Sequence, residues 1–138
     1  MRKLWQRWAW VIFAAVFAAL IFVPDLLPQR APDPVVMEHI QCAAVAVALG
    51  QFLFTRQEAG QSLDPAFLAA FEARQDRLQD YLEGLRRRDD RHNILVRPVI
   101  AEAETARDAS VAADGDAYID RAWQDLRSCH DKLFPGVA

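Results

Sequence analysis

Apolar residues recur along this chain with the spacing of helices. From Val35 to about Arg56 nearly every position is apolar, and four alanines keep the segment slim, so it predicts a helix buried among neighbours. After Asp64 and Pro65, which suit a helix start, apolar residues return every three or four positions and predict an amphipathic helix. Its apolar positions are Phe67, Leu68, Phe71, Leu78, Tyr81, Leu82 and Leu85.

Two further helices are predicted before the chain ends. The first runs from about Ile94 to Ala113, has mostly alanine on its apolar side, and must be kinked or started by Pro98. Residues 114–116 supply a stop and a new cap for the last helix. That helix carries apolar residues at Ile119, Ala122, Trp123, Leu126, Cys129 and Leu133. Because short connections make successive helices antiparallel, we expect an all-α, up-down-up-down four-helix bundle over residues 35–138.

The chain begins with a basic flank and an unbroken apolar run. Sixteen apolar residues, Trp8 to Val23, follow three basic residues. The run is intermediate in length between a signal-peptide core and a bilayer span of about 20 residues. A proline and an aspartate stand where a small-x-small cleavage pattern would follow the run. We therefore expect residues 1–23 to stay attached as a transmembrane signal-anchor.

The charges around this run predict the orientation of the chain in a membrane. Positive charge precedes the run and is almost absent directly after it, which favours a cytoplasmic N-terminus. Residues 24–34 contain four prolines and predict a stiff linker. We expect a single-pass protein of the bacterial inner membrane whose C-terminal domain lies in the periplasm. The alternative is a cleaved signal and a soluble periplasmic protein.

Composition limits the remaining possibilities. The 138 residues suffice for one core and one accessory segment. Five glycines and seven prolines leave little material for the tight turns of an antiparallel sheet. The net charge of −3 argues against a general nucleic-acid binder, which needs an excess of Lys and Arg.

The two cysteines predict a disulfide. Cys42 lies near the start of the first helix and Cys129 near the end of the last, so antiparallel packing puts them at similar height. In an oxidising compartment a two-cysteine domain most often forms one bridge. It would close a loop of 87 residues and stabilise the fold by about 4–5 kcal/mol in the chain-entropy model. Free buried thiols or metal ligands are the alternatives.

All three histidines are expected at the same end of the bundle as the cysteines. His39, His92 and His130, together with two cysteines, suggest a zinc site. Cys129 and His130 are neighbours on one helix, however, about 100° apart, and do not readily face one ion. We therefore predict no metal and expect surface or interfacial histidines.

The last helix resembles a known family. The sequence from Gly115-Asp116 through Leu126-Arg127-Ser128-Cys129-His130 resembles the C-terminal helix of cytochrome c-prime and related b-type four-helix cytochromes. The resemblance implies haem, with His130 as the proximal iron ligand, Met37 as the second ligand and Cys129 as the one thioether position. Leu126 stands where the family has its first attachment cysteine.

Arginines are concentrated between the second and third helices. They are Arg86, Arg87, Arg88, Arg91 and Arg97, interrupted by two aspartates. Such a basic patch could contact anionic lipid headgroups or an acidic protein partner. A solvated helix end is the plainer interpretation.

Known catalytic motifs are absent from the sequence. It holds no glycine-rich phosphate loop, no nucleophile motif and no Glu-His metal motif, so we expect no enzymatic activity. The sequence favours a membrane-tethered, periplasm-facing accessory subunit that binds a protein partner in the membrane or envelope. A haem-binding electron carrier is the first alternative. A periplasmic inhibitor or immunity protein is the second.

Overall fold

The computed structural model describes residues 32–88 and 92–137, and all regular structure in these ranges is helical. The four helices are α1 (Pro34–Glu58), α2 (Pro65–Arg88), α3 (His92–Ala113) and α4 (Gly115–Leu133). The predicted all-helical fold with four helices is thereby confirmed. The predicted anchor over residues 8–23 and nearly all of the predicted linker lie outside the described residues.

Three aspartates begin helices, as the sequence predicted for two of them. Asp33, Asp64 and Asp114 stand before the first residues of α1, α2 and α4, and each carboxylate accepts hydrogen bonds from first-turn amides. Asp114 is the single residue between α3 and α4, and it accepts from the amides of Asp116 and Ala117 at 3.0 and 3.1 Å. These caps satisfy amides that have no partner within the helix.

Helix α1 forms the centre of the described domain. It contributes nine buried residues, including the four alanines noted in the sequence. They are His39, Ile40, Cys42, Ala43, Ala44, Ala46, Ala48, Leu49 and Leu53. By length and composition α1 is the one described helix apolar enough to cross a membrane. Its burial against α2, α3 and α4 identifies it as the core helix of this domain.

Contacts at both ends of α1 define how α4 packs on it. Near the start of α1, Cys42 is joined to Cys129 of α4 with a Cα–Cα distance of 5.8 Å. Near the end of α1, the ring of Phe52 packs edge-on against Tyr118, early in α4, with centroids 5.4 Å apart. The start of α1 therefore lies beside the end of α4.

The other two helices also contact α1 along its length. His39 stacks on Tyr81, near the end of α2, with ring centroids 3.7 Å apart. A second, smaller core cluster joins Ile40 of α1 to Leu85 of α2 and Val96 of α3. The start of α1, the end of α2 and the start of α3 therefore lie close together.

Helix α3 packs on α1 but contributes few buried side chains of its own. Among its described side chains only Val96 is buried. Pro98 neither begins α3, which starts six residues earlier, nor lies against the core, since it is exposed. The absent amide of a proline costs least on the solvent side of a helix, where water can satisfy the freed carbonyl.

The buried row of α4 is rotated from the predicted one. The structure buries Tyr118, Ala122, Leu126 and His130, which are spaced four residues apart. Of the predicted positions, Ala122 and Leu126 are confirmed as buried. The other four, Ile119, Trp123, Cys129 and Leu133, are partly buried and pack against the core. Because α4 packs on both α1 and α3, its apolar surface is wider than one stripe, and the pattern alone does not locate its centre.

The disulfide should dominate the stability of this domain. We expect the double variant Cys42→Ala/Cys129→Ala to lose about 4–5 kcal/mol of unfolding free energy, because the bridge no longer restricts an 87-residue loop in the unfolded chain. Chemical denaturation of the detergent-solubilised full chain measures this loss. The wild-type chain in reductant should show a similar loss, whereas reductant should leave the double variant unchanged. Equal stability of variant and wild type would contradict the prediction.

Candidate functional site

The disulfide lies at one end of an open groove between α1 and α4. The predicted bridge between Cys42 and Cys129 is present, and Cys42 is buried while Cys129 is partly exposed. A hollow of about 380 Å³ lies beside it. Its walls are Glu38, Gln41, Cys42, Val45, Asp125, Cys129, Lys132 and Leu133. Its floor is therefore formed largely by the bridge and by aliphatic side chains.

A second hollow of about 200 Å³ lies between α1, α3 and α4. Val45 and Asp125 line both hollows, which are together called here the α4 groove. Half of the ten residues that line the second hollow are small: Ala48, Ala103, Ala106, Ser110 and Ala122. Arg107, Arg121 and Asp125 also line it.

The alanines of α3 explain why the groove is open. Ala103 and Ala106 face the hollow, where longer side chains would fill the space between α3 and α4. Tyr118 lines the same hollow, and burial raises the pKa of its hydroxyl to about 12. A groove with such walls has room for a side chain or a helix ridge from another molecule.

Polar contacts lie around the groove. At the disulfide end, Lys132 Nζ donates to Glu38 Oε1 at 2.9 Å and links α4 to α1. Farther along, Gln51 of α1 donates to Glu104 of α3 at 2.8 Å and accepts from Arg107. The groove therefore has an apolar floor and a polar rim, as many protein-binding grooves do.

His39 is buried between helices, so of the two expected settings, surface or interfacial, it has the interfacial one. Its ring is buried, stacks on Tyr81 and meets Phe134 edge-on with centroids 5.7 Å apart. Its Nδ1 lies 2.7 Å from the carbonyl oxygen of Val35. A carbonyl can only accept, so Nδ1 carries a proton and donates it.

His130 is also buried, with no exposed surface. Arg77 Nη1 lies 3.4 Å from its Nε2, and Asp131 Oδ1 lies 3.4 Å from its Nδ1. Because a guanidinium only donates, Nε2 accepts and the ring proton sits on Nδ1, facing Asp131. Burial lowers the pKa of His130, and the positive charges of Arg74 and Arg77 lower it further. Asp131 acts in the opposite direction.

The residues that the cytochrome resemblance assigns to haem do not fit that group. Cys129 is bonded to Cys42, so it has no thiol for a thioether. The Nε2 atom of His130 faces a guanidinium where an iron ion would have to bind. Met37 packs with the cluster that includes Val96 of α3. In the described part of the chain, no group of three or more His, Cys, Asp or Glu is placed to hold a metal ion.

The charge of the predicted basic patch is partly neutralised by Glu83 of the same helix. Arg86 and Arg87 reach Glu83 at 2.7 and 3.6 Å, and the hydrogen bond from Arg86 lowers the pKa of that carboxyl. Arg88 donates to the carbonyl of Gly84 in its own helix at 3.1 Å. Arg97 is exposed on α3, and Arg91 lies outside the described residues.

Sequence reasoning missed the α4 groove. Its signal was the alanine-rich side of the third predicted helix, which was noted only as a weak apolar face. An alanine-rich helix face leaves space unfilled between the two helices beside it when other contacts keep those two helices apart. The row Ala103, Ala106, Ser110 is such a set, since its members are three or four residues apart.

No protein-family model, no curated protein and no solved structure matches this chain. The resemblance of the last helix to cytochromes therefore has no support from these comparisons. Function has to be inferred from the groove, the disulfide and the charged ends of the helices.

The buried histidine predicts a loss of stability on mild acidification. His130 is neutral in the folded chain and its pKa is lowered, so the unfolded chain binds a proton that the folded chain does not. Stability should be full above the ordinary value of 6.5 and should fall as the pH drops below it. Denaturation midpoints measured at successive pH values test this expectation.

Two variants provide the controls for this titration. His130→Gln should flatten the pH dependence just below neutrality, because no imidazole remains to titrate. Asp131→Asn should steepen it, since Asp131 favours the protonated ring. A His130→Gln chain with the wild-type pH dependence would show that another group is responsible.

Proposed function

We propose that this chain is a non-catalytic accessory subunit that holds a partner helix in the α4 groove. In this proposal residues 8–23 anchor it in the bacterial inner membrane with a cytoplasmic N-terminus. Residues 35–138 then form a periplasmic up-down-up-down bundle. The partner is a protein of the membrane or envelope. The α4 groove is the observation that carries the proposal.

Helix contacts support the up-down-up-down arrangement. The disulfide and the Phe52–Tyr118 pair fit antiparallel packing of α1 and α4. Two contacts fit antiparallel packing of α1 and α2 as well. His39, near the start of α1, stacks on Tyr81, near the end of α2. Gly50, farther along α1, lies so close to Phe71, early in α2, that a Cβ added to it would be within 3.5 Å of the Phe71 ring. The single residue Asp114 joins α3 to α4 and makes a sharp reversal.

The disulfide supports a location outside the cytoplasm. Disulfides persist in oxidising compartments and are rare in the cytosol, where thiols are kept reduced. The basic flank and apolar run before residue 24 fit export through or into a membrane. The two observations are independent, since one comes from the N-terminal sequence and the other from the folded domain.

The walls of the α4 groove favour a helix as the occupant. Alanine and serine side chains on α1, α3 and α4 would let the backbone of a partner helix come close, as small residues do at helix interfaces. The partly exposed disulfide and Leu133 offer apolar contacts at one end. The proposal assigns binding and not a reaction to the groove.

Co-purification with groove variants tests the proposal. We expect the full chain, solubilised in detergent from its own membranes, to bring down a partner protein in a constant ratio. Ala103→Arg and Ala106→Arg should lower partner recovery by about tenfold or more, because a long charged side chain occupies the groove; tenfold is about 1.4 kcal/mol of binding free energy. Ala106 is exposed, so its substitution should leave the fold intact.

Ala73→Arg is the matched control, since Ala73 is an exposed alanine on α2, which contributes no residue to the groove. It should recover the partner as the wild type does. An intact chain that runs alone at every expression level would refute the interaction. Equal loss for Ala73→Arg and Ala106→Arg would refute the groove as the binding site.

A further inference from the structure

Large apolar side chains are exposed mainly at one end of the described domain. Four of them stand out, and three lie where α1 begins, α3 begins and α4 ends. These three are Val35, Ile94 and Val137, which are 57%, 66% and 41% exposed. The fourth, Phe54, is 59% exposed at the other end of α1. Ile94 is therefore the most exposed of the set and lies in the first turn of α3.

The same end carries the arginines, and the opposite end is acidic. The sequence from Arg86 to Arg97 holds five arginines and two aspartates. At the other end, residues 56–64 hold two acidic residues and one arginine, and residues 107–116 hold three acidic residues and one arginine. The domain therefore has opposite charge at the helix connections of its two ends.

Nearby acids are largely engaged with partners in the described structure. Glu83 pairs with Arg86 and Arg87, and Glu38 pairs with Lys132. Asp33 caps α1. Arg88 is the last residue of α2, Arg97 lies three residues after Ile94 on α3, and both arginines are exposed. The end formed by Val35, Arg88, Ile94, Arg97 and Val137 is called here the tether pole.

The length of the chain before α1 allows this pole to meet a bilayer. Ten residues, 24–33, separate the apolar run from the start of α1 at Pro34. At about 3.1 Å per residue they could span about 31 Å when extended, or much less when bent. The linker is therefore long enough for the tether pole to lie on the bilayer or away from it. The side chains of the pole determine which position is favoured.

We propose that the tether pole docks on the anionic phospholipid surface of the membrane that anchors the chain. Ile94 enters the headgroup layer, and Arg88 and Arg97 contact lipid phosphates. Exposed aliphatic side chains flanked by cations are the combination that binds proteins to anionic interfaces. The acidic far end is then turned away from the lipid. This inference rests on the membrane tether of the proposed function.

Site-specific fluorescence tests the docking. Ile94→Cys places a thiol that can be labelled selectively, because Cys42 and Cys129 are joined to each other. The labelled full chain is reconstituted in vesicles rich in phosphatidylglycerol that contain a headgroup nitroxide quencher. We expect severalfold stronger quenching of a label at position 94 than of the same label in Phe54→Cys. Phe54 is a matched control, since it is similarly exposed at the other end.

Lipid charge and arginine variants complete the test. Quenching at position 94 should fall severalfold in vesicles of phosphatidylcholine alone, and equally in Arg88→Gln/Arg97→Gln in the anionic vesicles. Arg121→Gln should have no effect, because Arg121 is an exposed arginine in the first half of α4, away from the tether pole.

The outcomes separate the docking from the tether. A chain that does not float with vesicles refutes the proposed membrane tether. A chain that floats but shows equal quenching at positions 94 and 54 refutes the docking and leaves the tether intact. Equal quenching at position 94 in both lipids refutes the role of anionic headgroups. Quenching that requires other membrane proteins refutes lipid docking in favour of an acidic protein partner.

Discussion

The first helix of this domain is apolar on nearly every face, and such a helix is stable only when neighbours cover all its sides. In the described chain α2, α3 and α4 each pack on α1, and four of its alanines are buried. Small side chains let the outer helices approach closely, and the bridge from Cys42 to Cys129 holds the first and last helices together. The groove, the buried histidines and the tether pole take their positions from this central helix.

The α4 groove exists because α3 covers α1 with alanines. Ala103 and Ala106 leave open space beside Tyr118, whereas the buried residues of α4 include a tyrosine, a leucine and a histidine. Larger side chains on α3 would bury more apolar surface and stabilise the isolated domain. Under the proposed function a partner helix supplies that burial, so the missing packing becomes part of the binding free energy.

Local signals in the sequence were sufficient for the helices, and they were insufficient for the site. Asp64 and Asp114 indicated helix starts, and the four alanines indicated the central helix, because caps and slim apolar runs act within a few residues. The burial of His130 depends on Arg77, a residue 53 positions away on α2, and no local pattern reports that pairing. Its role as a haem ligand was inferred from a motif whose cysteine the bridge engages. Arg86 of the predicted basic patch pairs with Glu83, three residues earlier on the same helix, and local spacing alone could have indicated that pair.

Under the proposed function the folded domain lies outside the cytosol, where a disulfide joins its first and last helices. The most direct measurement is mass spectrometry of the chain taken from cells whose free thiols were alkylated before lysis. The account predicts one linked peptide pair that contains Cys42 and Cys129, with neither residue alkylated. Full alkylation of both cysteines in the native membrane fraction would contradict it.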